Sequence, residues 1–250
     1  MKLFTAIYED ARLLRHFLRH YDSAGVTEFY VATSAACASE AKAAVGDYNA
    51  TLFEQLDVHD SLIGGNAAVT EMRRLHQAEN EWSIIVDLDE FVEFGADIWQ
   101  IVSAAENEGA NVVRGIMYDR FTVDGRLADF DQDSDLSKVY PVRARFIANV
   151  MRGADYKGVL VKGQLKAAVA HHRFVGEKVA STVLEIAHYK WNTRTIARVE
   201  HAYREVVKRG IPWAIEYRRI LDHYEQHGRM AWEHFGGELI GLDRRPIVNT

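Results

Sequence analysis

The apolar positions of this chain fall into short runs separated by helical stripes. Residues 3–8 form an apolar run that predicts a first strand. Leu13, Leu14, Phe17, Leu18 and Tyr21 then recur at helical spacing, with Arg12, Arg15, Arg19 and His20 on the opposite face. Gly25 predicts the end of that helix, because glycine takes a left-handed backbone cheaply. Residues 28–33 read as a second strand, 38–46 as a small-residue helix and 51–53 as a short third strand. This alternation favours a parallel sheet with helices on its faces.

Gly64, Gly65 and Asn66 predict the start of another helix, with Asn66 as its N-cap and Val69, Met72 and Leu75 on one face. Residues 81–88 are nearly continuously apolar, as in a central strand buried on both sides. A helix over 98–105 and a long strand over 111–123 follow, the strand ending at the turn Asp124-Gly125. Shorter runs at 159–161 and 168–171 predict an antiparallel extension. From Asn192 the pattern is helical. Ile196, Val199, Tyr203, Val206 and Val207 share a face, Gly210 closes that helix, and Pro212 opens one carrying Ile220, Leu221 and Tyr224. The expected organisation is one α/β domain over 1–190 and a helical C-terminal extension over 191–250 packed on it.

Composition narrows the chemistry. A single cysteine, Cys37, excludes an internal disulfide framework and cysteine-rich metal clusters, and suits a reduced, cytoplasmic setting. The formal charge of -6 argues against bulk electrostatic binding of nucleic acid. Acidic residues at positions 9 and 10 interrupt the first apolar run too early for a signal-peptide core. No uncharged apolar run reaches the roughly eighteen residues needed for a membrane span. A peripheral membrane contact through the helical tail, aided by Arg244 and Arg245, is compatible with this pattern.

The sharpest local signal is Asp87-Leu88-Asp89-Glu90-Phe91, directly after the buried run. If the strand continues through it, residues two apart share a face, so Asp87 and Asp89 aim two carboxylates at one point beyond the strand's carboxyl end. Open α/β sheets place ligands there. Two hard oxygen donors suit Mg2+ or Mn2+, with water and phosphate oxygens completing the shell. The same acids would also serve as solvated strand-end residues.

With these residues in place, the sequence resembles a glycosyltransferase of the GT-A type, of the family-two-like branch with an Asp-x-Asp-Glu-Phe motif. The resemblance covers most of the chain. Its most specific stretch is Trp82-Ser83-Ile84-Ile85-Val86-Asp87-Leu88-Asp89-Glu90-Phe91. Tyr8-Glu9-Asp10-Ala11-Arg12-Leu13-Leu14 resembles the family's opening Asn-Glu-x-x-x-Leu, with Tyr8 where asparagine is usual. His20-Tyr21, Gly25-Val26 and Phe29-Tyr30 fall as its first helix and second strand would. Asp119-Arg120-Phe121 with Asp124-Gly125 resembles its next strand and turn, and His171-His172 and His188-Tyr189-Lys190-Trp191 its late histidine motifs.

The resemblance implies a GT-A-like (Rossmann-like) mixed, mostly parallel sheet flanked by helices, and transfer of a sugar from a nucleotide-diphosphate sugar to an acceptor such as a glycan, a lipid-linked intermediate or a protein. It implies Mn2+ or Mg2+ held by Asp89, by Asp87 directly or through water, and by a late histidine, His188, with His171 and His172 as rivals. Tyr8, Glu9 and Asp10 would bracket the nucleoside, with Asp87 near the ribose and Lys190 or Arg194 near the diphosphate. Glu90, Asp119 and Asp124 are candidates for the base that an inverting transfer needs. Four aspartates lie within 129–135, and that segment reads as a solvated loop. Trp191 is the candidate sugar-stacking ring, whereas Trp82 and Trp99 read as core. Gly64, Gly65, Arg73 and Arg74 resemble a phosphate cradle only weakly, since the spacing matches no phosphate-loop fingerprint.

Two other readings compete. In haloacid-dehalogenase-like phosphotransferases a nucleophilic aspartate lies near the chain start, unlike the pair here. The other is a non-catalytic nucleotide-sugar or carbohydrate-binding module on a transferase scaffold, against which the intact Asp87 and Asp89 count.

Overall fold

The computed structural model describes residues 1–56, 61–169 and 171–240. It is a mixed α/β fold in which a sheet is flanked by helices. The chain runs β1 (Lys2–Ile7), α1 (Leu14–Ser23), β2 (Glu28–Ser34), α2 (Ala38–Val45), β3 (Ala50–Leu56), α3 (Ser61–His76), β4 (Trp82–Ile85), β5 (Glu90–Glu93), α4 (Ile98–Asn107) and β6 (Val112–Phe121). It continues through α5 (Leu136–Val139), β7 (Val142–Ala144), β8 (Tyr156–Lys162), β9 (Ala167–Val169), β10 (Arg173–Phe174), β11 (Val179–His188), α6 (Thr195–Lys208), α7 (Ala214–His227) and β12 (Glu238–Leu239).

Two compact units emerge, and their boundary differs from the expected division at residue 190. The first comprises 1–117 and 154–188; the second comprises 118–153 and 189–250. The helical tail therefore shares its unit with the segment after the middle of β6. That grouping depends on long-range contacts and leaves no break in composition to read.

In the first unit β1 pairs in parallel with β2 and β4, and β2 with β3. β8 then pairs antiparallel with β4 and with the start of β6. The parallel strands are apolar on both faces because both faces are covered. Phe4, Ala32 and Ile85 from the sheet pack with Val69 and Met72 of α3 and with Phe174. Leu75, expected on the buried face of α3, is 55% exposed. That helix starts at Ser61, ahead of the expected cap at Asn66.

Helix α1 buries Leu14, Phe17, Leu18 and Tyr21, the stripe read from the sequence. Its last aromatic does more than fill space. The Tyr21 hydroxyl donates to the Glu90 carbonyl at 2.9 Å and accepts from the Val92 N–H at 3.0 Å. It thereby fixes the start of β5.

In the second unit the end of β6 pairs with β7, and β7 with β12. Phe121, Phe146, Trp191 and Phe235 form an aromatic core, with Trp191 stacked on Phe121 at 5.7 Å. Gly125 sits at φ +71, and an added Cβ there would meet the Met230 carbonyl oxygen, so the Asp124-Gly125 turn requires glycine. No helix among the described residues is long and apolar enough to cross a membrane. Arg244 and Arg245 lie outside the described residues.

Candidate functional site

The site forms where β4 ends. Its four residues are buried, and Val86 makes the last rung, donating to the Phe4 carbonyl at 3.4 Å. The strand stops sooner than the apolar run suggests because the chain turns: Glu90 N–H donates to the Asp87 carbonyl at 3.0 Å. Asp87 and Asp89 therefore stand on a turn at the carboxyl end of β4, so strand alternation is not what positions them. The chain returns as β5, antiparallel to β11, with Glu90 opposite His188. This pairing carries His188 to the turn, where its Nε2 lies 3.4 Å from Asp89 Oδ2.

A buried lysine organises the turn. Lys157 Nζ, on β8, donates to Asp87 Oδ2 at 2.7 Å and to Glu90 Oε2 at 2.8 Å. Glu90 Oε2 also accepts from the Asp87 N–H at 2.8 Å. The Lys157 and Glu90 side chains are 2% and 4% exposed, whereas that of Asp87 is 66% exposed. A charge removed from water needs such partners. Sequence reasoning missed Lys157. It lies on β8 two residues before the buried Val159, and an irregular register with β6 between Lys157 and Val161 breaks the strand alternation there.

The cluster's charges set its protonation. Loss of hydration pushes the Asp87 carboxyl up. The Lys157 ammonium outweighs it, through its charge and its hydrogen bond, and holds Asp87 below the usual carboxylate range. Burial pushes Glu90 up to about 7, with Asp87 and Asp89 adding to the rise and Lys157 opposing it. Burial alone would lower Lys157, but Asp87 and Glu90 raise it above the ordinary lysine value. The ammonium is therefore charged throughout the neutral range.

Other expected residues border the same cluster. Tyr8, half-buried just beyond β1, has its phenol raised by burial and then by the charge of Asp87. Its carbonyl accepts from Ser34 Oγ at 2.5 Å. His171 is buried at φ +60, with Nε2 lacking a hydrogen-bond partner. Burial, then the Lys157 charge, push its ring down to about 3. His172 is lowered for the same two reasons, and its Nδ1 lies 2.6 Å from the Tyr156 carbonyl oxygen.

Several expectations need correction. Asp10 is engaged by Arg12, with Nη2 to Oδ2 at 2.8 Å, while Glu9 is exposed. Glu90, a candidate base, is buried under Lys157 and supports Asp87. Asp119 belongs to the second unit, fully buried, where it accepts from Trp191 Nε1 at 2.8 Å and from the Ile147 N–H at 3.2 Å. It is a core acceptor. Trp191, the expected stacking ring, is 1% exposed and part of that core. Lys190, in the same unit, holds its ammonium 6.0 Å from the Trp191 ring centroid. Trp99 is exposed on the first turn of α4, where Asp97 Oδ1 caps its N–H, whereas Trp82 is buried as expected. Arg73 is a buried brace donating to Gln77 and to the Leu165 and Gly163 carbonyls, and Arg74 pairs with Glu71 at the surface. Neither forms a phosphate cradle.

The donors at the turn fit a hard divalent cation. Two cis ligands of a cation at ~2.1 Å stand ~3 Å apart. The 3.4 Å between Asp89 Oδ2 and His188 Nε2 is close to that spread. Among the described residues no three His, Cys, Asp or Glu side chains are already grouped to enclose an ion.

No family model matches the chain, and no curated protein matches it. Among solved structures it is similar to HddC from Yersinia pseudotuberculosis, at 9% identity and a TM-score of 0.43, covering 79% of this chain and 96% of that one. It is also similar to 4-diphosphocytidyl-2C-methyl-D-erythritol synthase from Anaerococcus prevotii, at 10% identity and a TM-score of 0.40, covering 74% and 87%. A third is the inositol-1-phosphate CTP transferase from T. maritima, at 10% identity and a TM-score of 0.38, covering 78% and 90%. At these values the likeness transfers no activity to this chain.

Proposed function

We propose that this chain is a nucleotide-binding transferase, and specifically a glycosyltransferase that moves a sugar from a nucleoside-diphosphate sugar to an acceptor hydroxyl with Mn2+ or Mg2+. The observation that carries the reading is the approach of His188 to Asp89 on the turn beyond β4, with Asp87 beside them.

Asp89 and His188 would hold the cation, with diphosphate oxygens and water completing its shell. The cation would supply Lewis-acid stabilisation of the charge that grows on the departing diphosphate. The open Asp87 carboxylate accepts hydrogen bonds and stands close enough to Tyr8 to raise its phenol. These two residues suit the ribose and base of a nucleoside. Asp87 is kept ionised by Lys157, so it accepts hydrogen bonds throughout the neutral range. Glu90 and Tyr21 act beneath it, holding the turn in place.

The test is turnover with a panel of nucleoside-diphosphate sugars and Mn2+, followed by nucleoside-diphosphate release with and without added glycan acceptors. Metal-dependent release with at least one donor is expected. Donor binding without release under any acceptor would favour a binding module, and neither binding nor release would overturn the reading.

A further inference from the structure

We infer that Lys157 is a built-in counter-ion that makes divalent-cation binding at this turn depend on the nucleotide. The inference rests on the proposed metal-dependent function and adds a residue which that reading does not require. The ammonium lies 2.7 Å from Asp87 Oδ2 and 2.8 Å from Glu90 Oε2 and is almost wholly removed from solvent. Lys157 lies two residues before the buried Val159 on β8 and is itself 1% exposed.

A fixed positive charge on one oxygen of Asp87 weakens that carboxylate as a ligand for a second cation, because the two cations repel at short range. Glu90 is spent on the same ammonium and on the Asp87 N–H. Asp89 Oδ2 lies 3.4 Å from His188 Nε2. Two protein donors hold a hard, strongly hydrated ion weakly. A diphosphate brings the missing oxygens and negative charge, so nucleotide and cation should bind as a pair. The lysine thus restrains the turn, in its empty state, from gathering free divalent ions.

An unusual consequence follows. Removing a positive charge should create a better free-cation site, because Asp87 and Glu90 are then available beside Asp89 and His188. Lys157→Met keeps the length and apolar stem of the side chain and discards the charge. Equilibrium dialysis of Mn2+ measures both effects, with inorganic pyrophosphate and the four common nucleoside diphosphates as probes.

For the native chain, Mn2+ retention should tighten roughly tenfold or more when a diphosphate probe is added. For Lys157→Met, Mn2+ alone should bind roughly tenfold or more tightly than to the native chain, and the added probe should gain less. Native Mn2+ affinity that is already tight and unmoved by every probe would overturn the inference while leaving the proposed function standing. Equal Mn2+ affinity in a folded Lys157→Met would also overturn it. No Mn2+ retention under any condition would remove the proposed function and this inference with it. If Lys157→Met does not fold, the native comparison alone decides.

Discussion

His188 Nε2 lies 3.4 Å from Asp89 Oδ2, although Asp89 precedes β5 and His188 closes β11. The β5–β11 pairing makes this meeting, since it sets Glu90 opposite His188. If the pair holds a cation on the diphosphate, His188→Ala should weaken Mn2+-dependent nucleoside-diphosphate affinity by roughly tenfold or more. Calorimetry with and without Mn2+ reads this. Metal-independent affinity should change little, and a uniform loss in both conditions would mean that His188 only supports the fold.

The buried Glu90 makes stability depend on pH. Its carboxyl moves from an ordinary 4.5 to about 7 on folding, so the folded state holds a proton that the unfolded state releases within that window. The raised value favours the folded state at low pH, and that contribution is lost as pH rises toward about 7. Glu90→Gln lacks the titration. The Tm of the variant should therefore rise relative to the native protein between those pH values and level off above them. The corresponding change in unfolding free energy should be on the order of a few kcal/mol. A difference that is flat with pH would contradict the assignment.

His171 titrates the other way. Burial holds its ring neutral down to about 3, whereas an unfolded histidine protonates near 6.5. The unfolded chain binds the extra proton, so stability should fall as pH drops below 6.5 toward about 3. His171→Asn suits the left-handed backbone at φ +60 and does not titrate there. Its stability should decline less steeply over that range, as read by denaturant melts at several pH values.

Asp119 should prove structural. Asp119→Ala leaves the Trp191 Nε1–H and the Ile147 N–H without their acceptor in a fully buried position. Each unsatisfied donor costs about 1–3 kcal/mol, so a loss of about 2–5 kcal/mol in unfolding free energy is expected. Nucleotide affinity measured on the remaining folded fraction should stay near native. Stability near native with nucleotide affinity lost would restore Asp119 to the binding site.

The elements of the first unit were legible where burial on both faces left an unbroken apolar run. The apolar run over 81–88 announced β4, but the strand ends at Ile85 and the acids read as its continuation stand on a turn. The stripe Leu14, Phe17, Leu18 and Tyr21 gave α1. Lys157 was not legible, because a lysine beside a glycine in a short strand looks the same whether its ammonium reaches water or two carboxylates. Trp191 and Trp99 were read the wrong way round for a related reason. Large aromatic side chains serve both cores and surfaces, and only the partners, Phe121 and Asp119 for Trp191, decide. Asp119 resembled a candidate base because hydrogen bonds to Trp191 and to a backbone N–H leave no trace in sequence spacing.

The central claim is that Asp89 holds a divalent cation on a nucleoside diphosphate. Asp89→Asn keeps the side chain's shape and removes the charge a hard cation needs. Calorimetric titration of native protein and variant with the nucleoside diphosphate that binds best, with and without Mn2+, tests it alongside a thermal melt. The expected result is Mn2+-dependent affinity in the native protein, its loss in Asp89→Asn, and matching melts. Mn2+-dependent affinity that survives unchanged in a folded Asp89→Asn would contradict the account.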